Sequence, residues 1–175
     1  MMEAPVSKTR KVVVNLDLQI SDAATLDVVL PPILPRPRMV EILRRHLAAD
    51  GWEPGPERLV RQQEQCEESF DPATGEVCVE LTEHVQQEVH ARIDLDGPPG
   101  GASKMKKDLE QTCRREVMEK VERRLEQTRR QFREDYVPKT LAEALAEKAQ
   151  SLDPAARISR HEDGGQLVVT VELEV

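Results

Sequence analysis

One long helix-forming stretch organises the chain: residues 103–136, which read SKMKKDLEQTCRREVMEKVERRLEQTRRQFREDY. The stretch contains neither proline nor glycine, and most of its residues favour the α-helix. As one helix it would be about 50 Å long at ~1.5 Å per residue, which is more than the core of a small domain needs. We therefore predict a long helix over 103–136 that docks against the rest of the chain and partly protrudes.

Apolar residues recur at every fourth position of this helix. This spacing drifts around a straight helix, because four residues overshoot a turn of 3.6 residues. The pattern is not a strict coiled-coil heptad, and it suits either packing across a sheet or partial pairing with a neighbouring helix. We predict that the stripe contacts a protein partner, either a second copy of this chain or another protein, through Val117, Val121, Leu125 and Phe132.

The composition limits the classes of function. The 175 residues carry a formal net charge of −8, which disfavours a general nucleic-acid role. No apolar run approaches the ~20 residues of a membrane span, and the first residues lack the apolar core of a signal peptide. The three cysteines have no short spacing and do not indicate a disulfide framework. These features predict a cytoplasmic protein without a membrane span.

The long helix is locally basic within this acidic chain. It carries eleven basic and eight acidic residues. Pairs four residues apart, such as Glu116–Lys120 and Glu119–Arg123, favour a solvated helix surface. Nucleic-acid binding through the basic helix is therefore kept as an alternative function and not as the leading one.

Residues 10–20 alternate apolar and polar side chains, which predicts a strand with one buried face. The following stretch, 26–37, combines aliphatic residues with four prolines. Proline excludes a helix and a central strand here. We expect a short edge strand ending near Leu30, or an extended arm that packs on its own core or on a partner.

A hairpin is predicted from 58–70 and 76–95, around the turn at Asp71–Glu76. Closing the turn at these two residues predicts the cross-strand pairs Phe70 with Val77, Cys66 with Leu81, and Val60 with Gln87. The apolar residues of both strands then share one face, and this agreement between turn chemistry and alternation supports the register.

Helical spacing predicts two shorter helices, 37–50 and 140–151. Gly51 is a natural stop for the first, and Trp52 should anchor it to the sheet. Ser103 is the expected N-cap of the long helix after a glycine- and proline-rich linker, and Pro138 is expected to break or kink it. A last hairpin, 157–162 and 166–175, turns at Asp163-Gly164 or Gly164-Gly165.

Together these elements predict an α+β fold. We expect one antiparallel sheet of five strands, 10–20, 58–70, 76–95, 157–162 and 166–175, covered on one face by helices 37–50 and 140–151. The predicted organisation is a disordered N-terminus over 1–8, followed by a single domain over 9–175.

Candidate catalytic groups are sparse. The predicted register places Glu67 opposite Glu80, and it places Glu88 beside His90 on the same polar face, so a metal-assisted hydrolase on this face is a second alternative. No third ligand is set by spacing, and no cysteine has an assignable base. The sequence therefore predicts no catalytic, metal or cofactor residues.

The C-terminal part of the chain resembles a group of bacterial α+β accessory proteins. Its charged long helix, the segment LAEALAEKAQSL and the hairpin ISRHEDGGQLVVTVELEV are similar in layout to accessory proteins encoded with FtsH-type AAA+ ATPases in ternary systems. The resemblance covers residues 94–175. It implies a non-enzymatic accessory protein that acts with an ATPase, and it implies no site residues.

Overall fold

The computed structural model describes residues 9–94, 101–164 and 166–172. Five antiparallel strands form the main sheet in the order β1-β5-β4-β3-β2, which confirms the predicted α+β class. Their bounds are β1 Thr9–Asp27, β2 Glu53–Pro54, β3 Leu59–Gln63, β4 Cys66–Asp71 and β5 Glu76–Asp94. The predicted disordered segment 1–8 and most of the glycine-rich linker lie outside the described residues.

The first strand is longer than predicted. It continues past Ile20 to Asp27 and pairs with β5 along its whole length, from Thr9 opposite Asp94 to Asp27 opposite Glu76. Burial alternates with exposure through Leu26. Asp22 interrupts only the alternation of apolar and polar residue types, because it is half-buried like Leu18 and Ala24. The segment 21–27 is thus strand, and only the residues after it form a proline-rich connection to the first helix.

The predicted strand 58–70 is two strands. Phe70 opposite Val77 and Cys66 opposite Leu81 are confirmed. However, the chain turns back at Glu64, whose φ of 53° is left-handed, so that Val60 faces Ser69 in β4. The predicted pairing of Val60 with Gln87 is therefore wrong. A tight turn inside the polar run QQEQ reverses the chain, so that β3 pairs with β4 and not with β5.

The helices are α1 Arg36–Ala49, α2 Gly101–Gln131 and α3 Val137–Leu152. The first ends as predicted, with Gly51 at φ +86° and Trp52 buried. The second begins before Ser103, so the predicted N-cap is wrong. Between Ser103 and Glu116 no described side chain of α2 is buried, and Val117 is the first one that is.

A π-helical turn, Phe132–Tyr136, joins α2 to α3. The helical backbone is therefore not broken at Pro138, which was one of the two outcomes predicted there, a break or a kink. Val137 donates its N–H to the carbonyl of Phe132, five residues back. A proline in a helix lacks a donor and crowds the preceding turn, and the wider π turn accommodates it. Thr140 also donates its hydroxyl to the Tyr136 carbonyl at 2.8 Å.

The main core lies between the sheet and the helices. Four aromatic side chains pack with Leu43 and Leu47 of α1: Trp52 just before β2, Phe70 of β4, and Phe132 and Tyr136 of the π turn. A second cluster joins Val117 and Val121 of α2 to Ile20 of β1. A third joins Met39 and Ile42 of α1 to Ala144 of α3.

The helix arrangement and the last hairpin differ from the prediction. Strands β6 Arg157–Asp163 and β7 Gln166–Glu172 form a separate two-stranded sheet, with Asp163 opposite Gln166 and Ile158 opposite Val171. Helix α3 packs on α1 and β7, while α2 lies on β1 and β5. The main sheet is therefore covered by α1 and α2. Its fifth strand is the two-residue β2.

Candidate interaction surface

Strand β1 is an edge strand, and its backbone hydrogen bonds show which groups face outward. Val28, which follows β1, donates its N–H to the Gly75 carbonyl at 2.9 Å. This bond continues the β1–β5 pairing, so the even-numbered residues of β1 are the ones that bond to β5. Thr82 of β5 donates to Gln65 on the opposite side at 3.1 Å. Alternate residues of an antiparallel strand bond to opposite sides. The odd-numbered residues of β1 therefore direct their N–H and carbonyl groups outward, and we call these groups the β1 edge.

Within the described part of the chain, no strand pairs with the β1 edge. One local contact covers it: Ala23 donates its N–H to the Asp22 carboxylate at 2.9 Å. An unpaired row of strand donors and acceptors is a template for another strand. The length of the row, 19 residues of strand, makes this template unusually long.

Both sides of the edge expose a large apolar residue. Val13 projects from the face that no helix covers and is 51% exposed, while Met118 of α2 is 44% exposed. Lys120, about 200° from Met118 around the helix, pairs with Glu83 of β5. Arg124 reaches Glu68 of β4. Met118 therefore lies on the opposite flank of α2, above β1.

The two ends of β1 carry opposite charges that are not neutralised across the strand pair. Lys11 lies opposite Arg92 of β5, and Asp27 lies opposite Glu76. Neither Lys11 nor Asp27 forms an ion pair with any described residue, and both side chains are exposed. A strand added to this edge could supply the missing charges.

A buried carboxylate fastens α2 to the sheet. Glu68 of β4 is 0% exposed and accepts hydrogen bonds from Arg61 at 2.7 Å, Arg124 at 2.8 Å and the Thr128 hydroxyl at 2.6 Å. Burial alone would raise the pKa of Glu68, but the Thr128 hydroxyl and the two guanidinium groups outweigh it and hold the pKa below its usual value. Glu68 is therefore a structural anion.

The Arg61 guanidinium extends this cluster to the π turn. It lies 4.8 Å from the centre of the Trp52 ring and donates to Gln131 at 2.9 Å. Tyr136 donates its hydroxyl to Asp50 at 2.6 Å, and burial together with this bond raises the pKa of Tyr136 to about 12. The cluster consists of paired groups and holds the helix and the sheet together.

We expect acid to weaken this attachment. Because the pKa of Glu68 is lowered in the folded protein, its contribution to stability is present above the ordinary carboxyl pKa and is lost as the pH falls through the folded pKa. The free energy of unfolding should therefore fall more steeply below about pH 4 in the wild type than in Glu68→Gln. Urea titrations at several pH values measure both slopes, and equal slopes would contradict the assignment.

The four residues of the predicted partner stripe lie in the core of this chain. Val117, Val121 and Phe132 are almost fully buried, and Leu125 is half-buried beside the aromatic cluster. The sheet covers the stripe, which is one of the two arrangements that its spacing allowed. Partner binding through the stripe stays a prediction, and it would require α2 to leave the sheet.

The candidate catalytic residues do not form a site. Glu67 does lie opposite Glu80, and the His90 imidazole lies 3.3 Å from Glu88 with both side chains exposed. Among the described residues, no three His, Cys, Asp or Glu side chains are grouped to hold one metal ion. Burial raises the pKa of the Cys66 and Cys78 thiols, which disfavours the reactive thiolate.

A groove of about 800 Å³ lies between the β3–β4 turn and α2. Its walls include Cys66, Lys120 and Arg124. Lys120 is paired with Glu83, and Arg124 with Glu68. A third basic residue of the wall, Arg123, donates to the backbone carbonyl of Glu119, so two of the three basic side chains of the groove are already neutralised by carboxylates.

Two features were not predicted from the sequence, although each has a sequence signal: the burial of Glu68 and the extension of β1 past Ile20. Glu68 stands between Cys66 and Phe70 on the predicted buried face, and a buried acid requires cationic partners. Leu26 and Ala24 continue the even-numbered alternation of β1, and only Asp22 interrupts it.

A family match covers most of the chain. In the described part of the chain, no helix has both the length and the apolar character needed to cross a bilayer. Neither the curated proteins nor the solved structures gave a match. The family model described as FtsH ternary system domain X5 matches residues 7–173, a longer span than the 94–175 of the layout resemblance. The chain therefore belongs to the FtsH ternary system domain X5 family, and it is an accessory domain of such a system.

Proposed function

We propose that this chain is a non-catalytic protein-binding module of its ternary system, and that it binds by adding a strand to the β1 edge. The observation that carries the proposal is the length of this edge, Thr9–Asp27, paired on one side only. In strand addition the backbone supplies affinity and the alternating side chains supply specificity. Val13 and Met118 add exposed apolar surface on the two sides.

The family supports a protein partner. Membership in an FtsH ternary system family supports the proposal that the chain acts beside other proteins of that system, and the FtsH-type ATPase is one candidate partner. The described residues contain no cluster of three or more side chains that could hold a metal ion. The buried charged residues, Arg61 and Glu68, form an ion pair with each other. Binding therefore explains the arrangement better than catalysis does.

A proline at the centre of the edge tests this function. Gln19 directs its N–H outward, so Gln19→Pro removes a donor that the fold does not use, whereas Gln19→Ala removes the side chain and keeps the donor. In affinity measurements with the purified proteins of the system, Gln19→Pro should weaken binding about tenfold or more. Gln19→Ala should bind within about twofold of the wild type.

Circular dichroism and thermal unfolding are the control that checks whether both variants keep the fold. If a folded Gln19→Pro protein binds the other proteins of the system as tightly as Gln19→Ala does, addition of a strand from one of those proteins at this edge is wrong.

A further inference from the structure

We infer that the strand added to the β1 edge is the β1 strand of a second copy, so that two five-stranded sheets join into one continuous antiparallel sheet. This inference rests on the proposed function and names the occupant of the same edge. It follows from the direction of the edge groups, the charges at its two ends and the exposed methionine above it.

The hydrogen bonds restrict the register. The outward groups belong to odd-numbered residues, so odd residues must face odd residues of the second copy. A two-fold axis through Gln19 satisfies this requirement. Lys11 of each copy then faces Asp27 of the other, and the strands overlap over residues 11–27.

The charges select this register among its neighbours. A shift by one pair of residues places Lys11 opposite Thr25 and forms no ion pair. A shift that puts the axis at Asp17 places two carboxylates together, which is unfavourable. In the proposed register each copy supplies an acid to Lys11 and a base to Asp27. Both residues face a like-charged residue on β5 and have no described ion pair.

The helices lie where they would support this joint. Val117 and Val121 of α2 pack on Ile20, next to the proposed axis. Met118 projects on the β1 flank of the helix and is 44% exposed. The two-fold axis brings Met118 towards its copy, so the association would cover this apolar residue. The partner strand would also replace the Asp22 carboxylate at the Ala23 N–H.

Light scattering coupled to size exclusion tests the association. The wild type and Gln19→Ala should be dimers at micromolar concentration, and Gln19→Pro should be a monomer. Lys11→Asp or Asp27→Lys should each weaken the dimer about tenfold, since each change creates two like-charge pairs in the symmetric interface. The double variant Lys11→Asp with Asp27→Lys should recover most of the affinity.

Cysteine cross-linking tests the register independently. Facing residues of a hydrogen-bonded antiparallel pair lie about 5.5 Å apart at Cα, which is within the range of a disulfide. Under mild oxidation Gln19→Cys should form an intermolecular disulfide, identified by peptide mass. The control Ala23→Cys should not, because its two copies would lie about 27 Å apart. The wild type controls for its own three cysteines.

A monomeric wild type, or a dimer that persists in Gln19→Pro and in both charge reversals, would overturn the inference. If the wild type is a monomer but Gln19→Pro no longer binds the other proteins of the system, the inference fails and the proposed function stands. If the wild type is a monomer and Gln19→Pro binds those proteins as tightly as Gln19→Ala does, both fail.

Discussion

Replacing Glu68 with alanine should lower the free energy of unfolding by about 3–5 kcal/mol, because it removes one member of a buried ion-pair cluster and leaves the others unpaired. The Arg61 side chain is 9% exposed and loses its carboxylate. Arg124 and Thr128 lose the acceptor that ties α2 to β4. For a chain of this length the midpoint of thermal unfolding should fall by about 10 °C.

Glu67→Ala is the matched control. Glu67 is the next residue of the same strand, and it is exposed on the face that no helix covers. Its removal should change the free energy of unfolding by less than about 0.5 kcal/mol. Denaturant unfolding of both variants measures the difference. Equal effects would mean that the Glu68 cluster does not hold the helix to the sheet.

Replacing Val117 with aspartate should also destabilise the fold by about 3–5 kcal/mol or more, because it buries a carboxylate with no cationic partner. Val117 is 0% exposed and packs with Val121 and Ile20. This variant also tests the partner stripe predicted from the sequence. A stripe reserved for a partner would tolerate the change in the monomer and lose only the association.

Met118→Asp is the control for this prediction. It introduces the same charge one residue along α2, at a side chain that is 44% exposed. In dilute monomer its unfolding free energy should stay within about 0.5 kcal/mol of the wild type. If Val117→Asp unfolds no more easily than Met118→Asp, α2 does not dock on the sheet through this stripe.

Local patterns predicted the elements whose causes are local. The β4–β5 hairpin was predicted in its register because its turn residues and its period-two alternation both lie within residues 66–94. Helix α1 was predicted to within one residue because its apolar spacing and Gly51 mark its body and its end. The layout of the C-terminal part also indicated the family.

Patterns interrupted by a single residue were harder to interpret. Asp22 interrupts the alternation of β1, and Pro138 lies inside a helical pattern. In both places tertiary contacts override the local preference: β5 pairs with β1 through the interruption, and a π turn accommodates the proline. The turn at Glu64 was not predicted, because its residues favour neither a strand nor a turn strongly.

By itself the sequence determined most of the helices and strands and the apolar faces of α1 and of the β4–β5 hairpin, since alternation and helical spacing depend only on neighbouring residues. The tertiary structure alone decided what covers each buried face: the sheet for the Val117 stripe, and two arginines from different elements for Glu68. It also decided that β1 lies at the edge and that β6 and β7 stand apart. An apolar pattern records that a face must leave water, but it does not specify which surface will meet it.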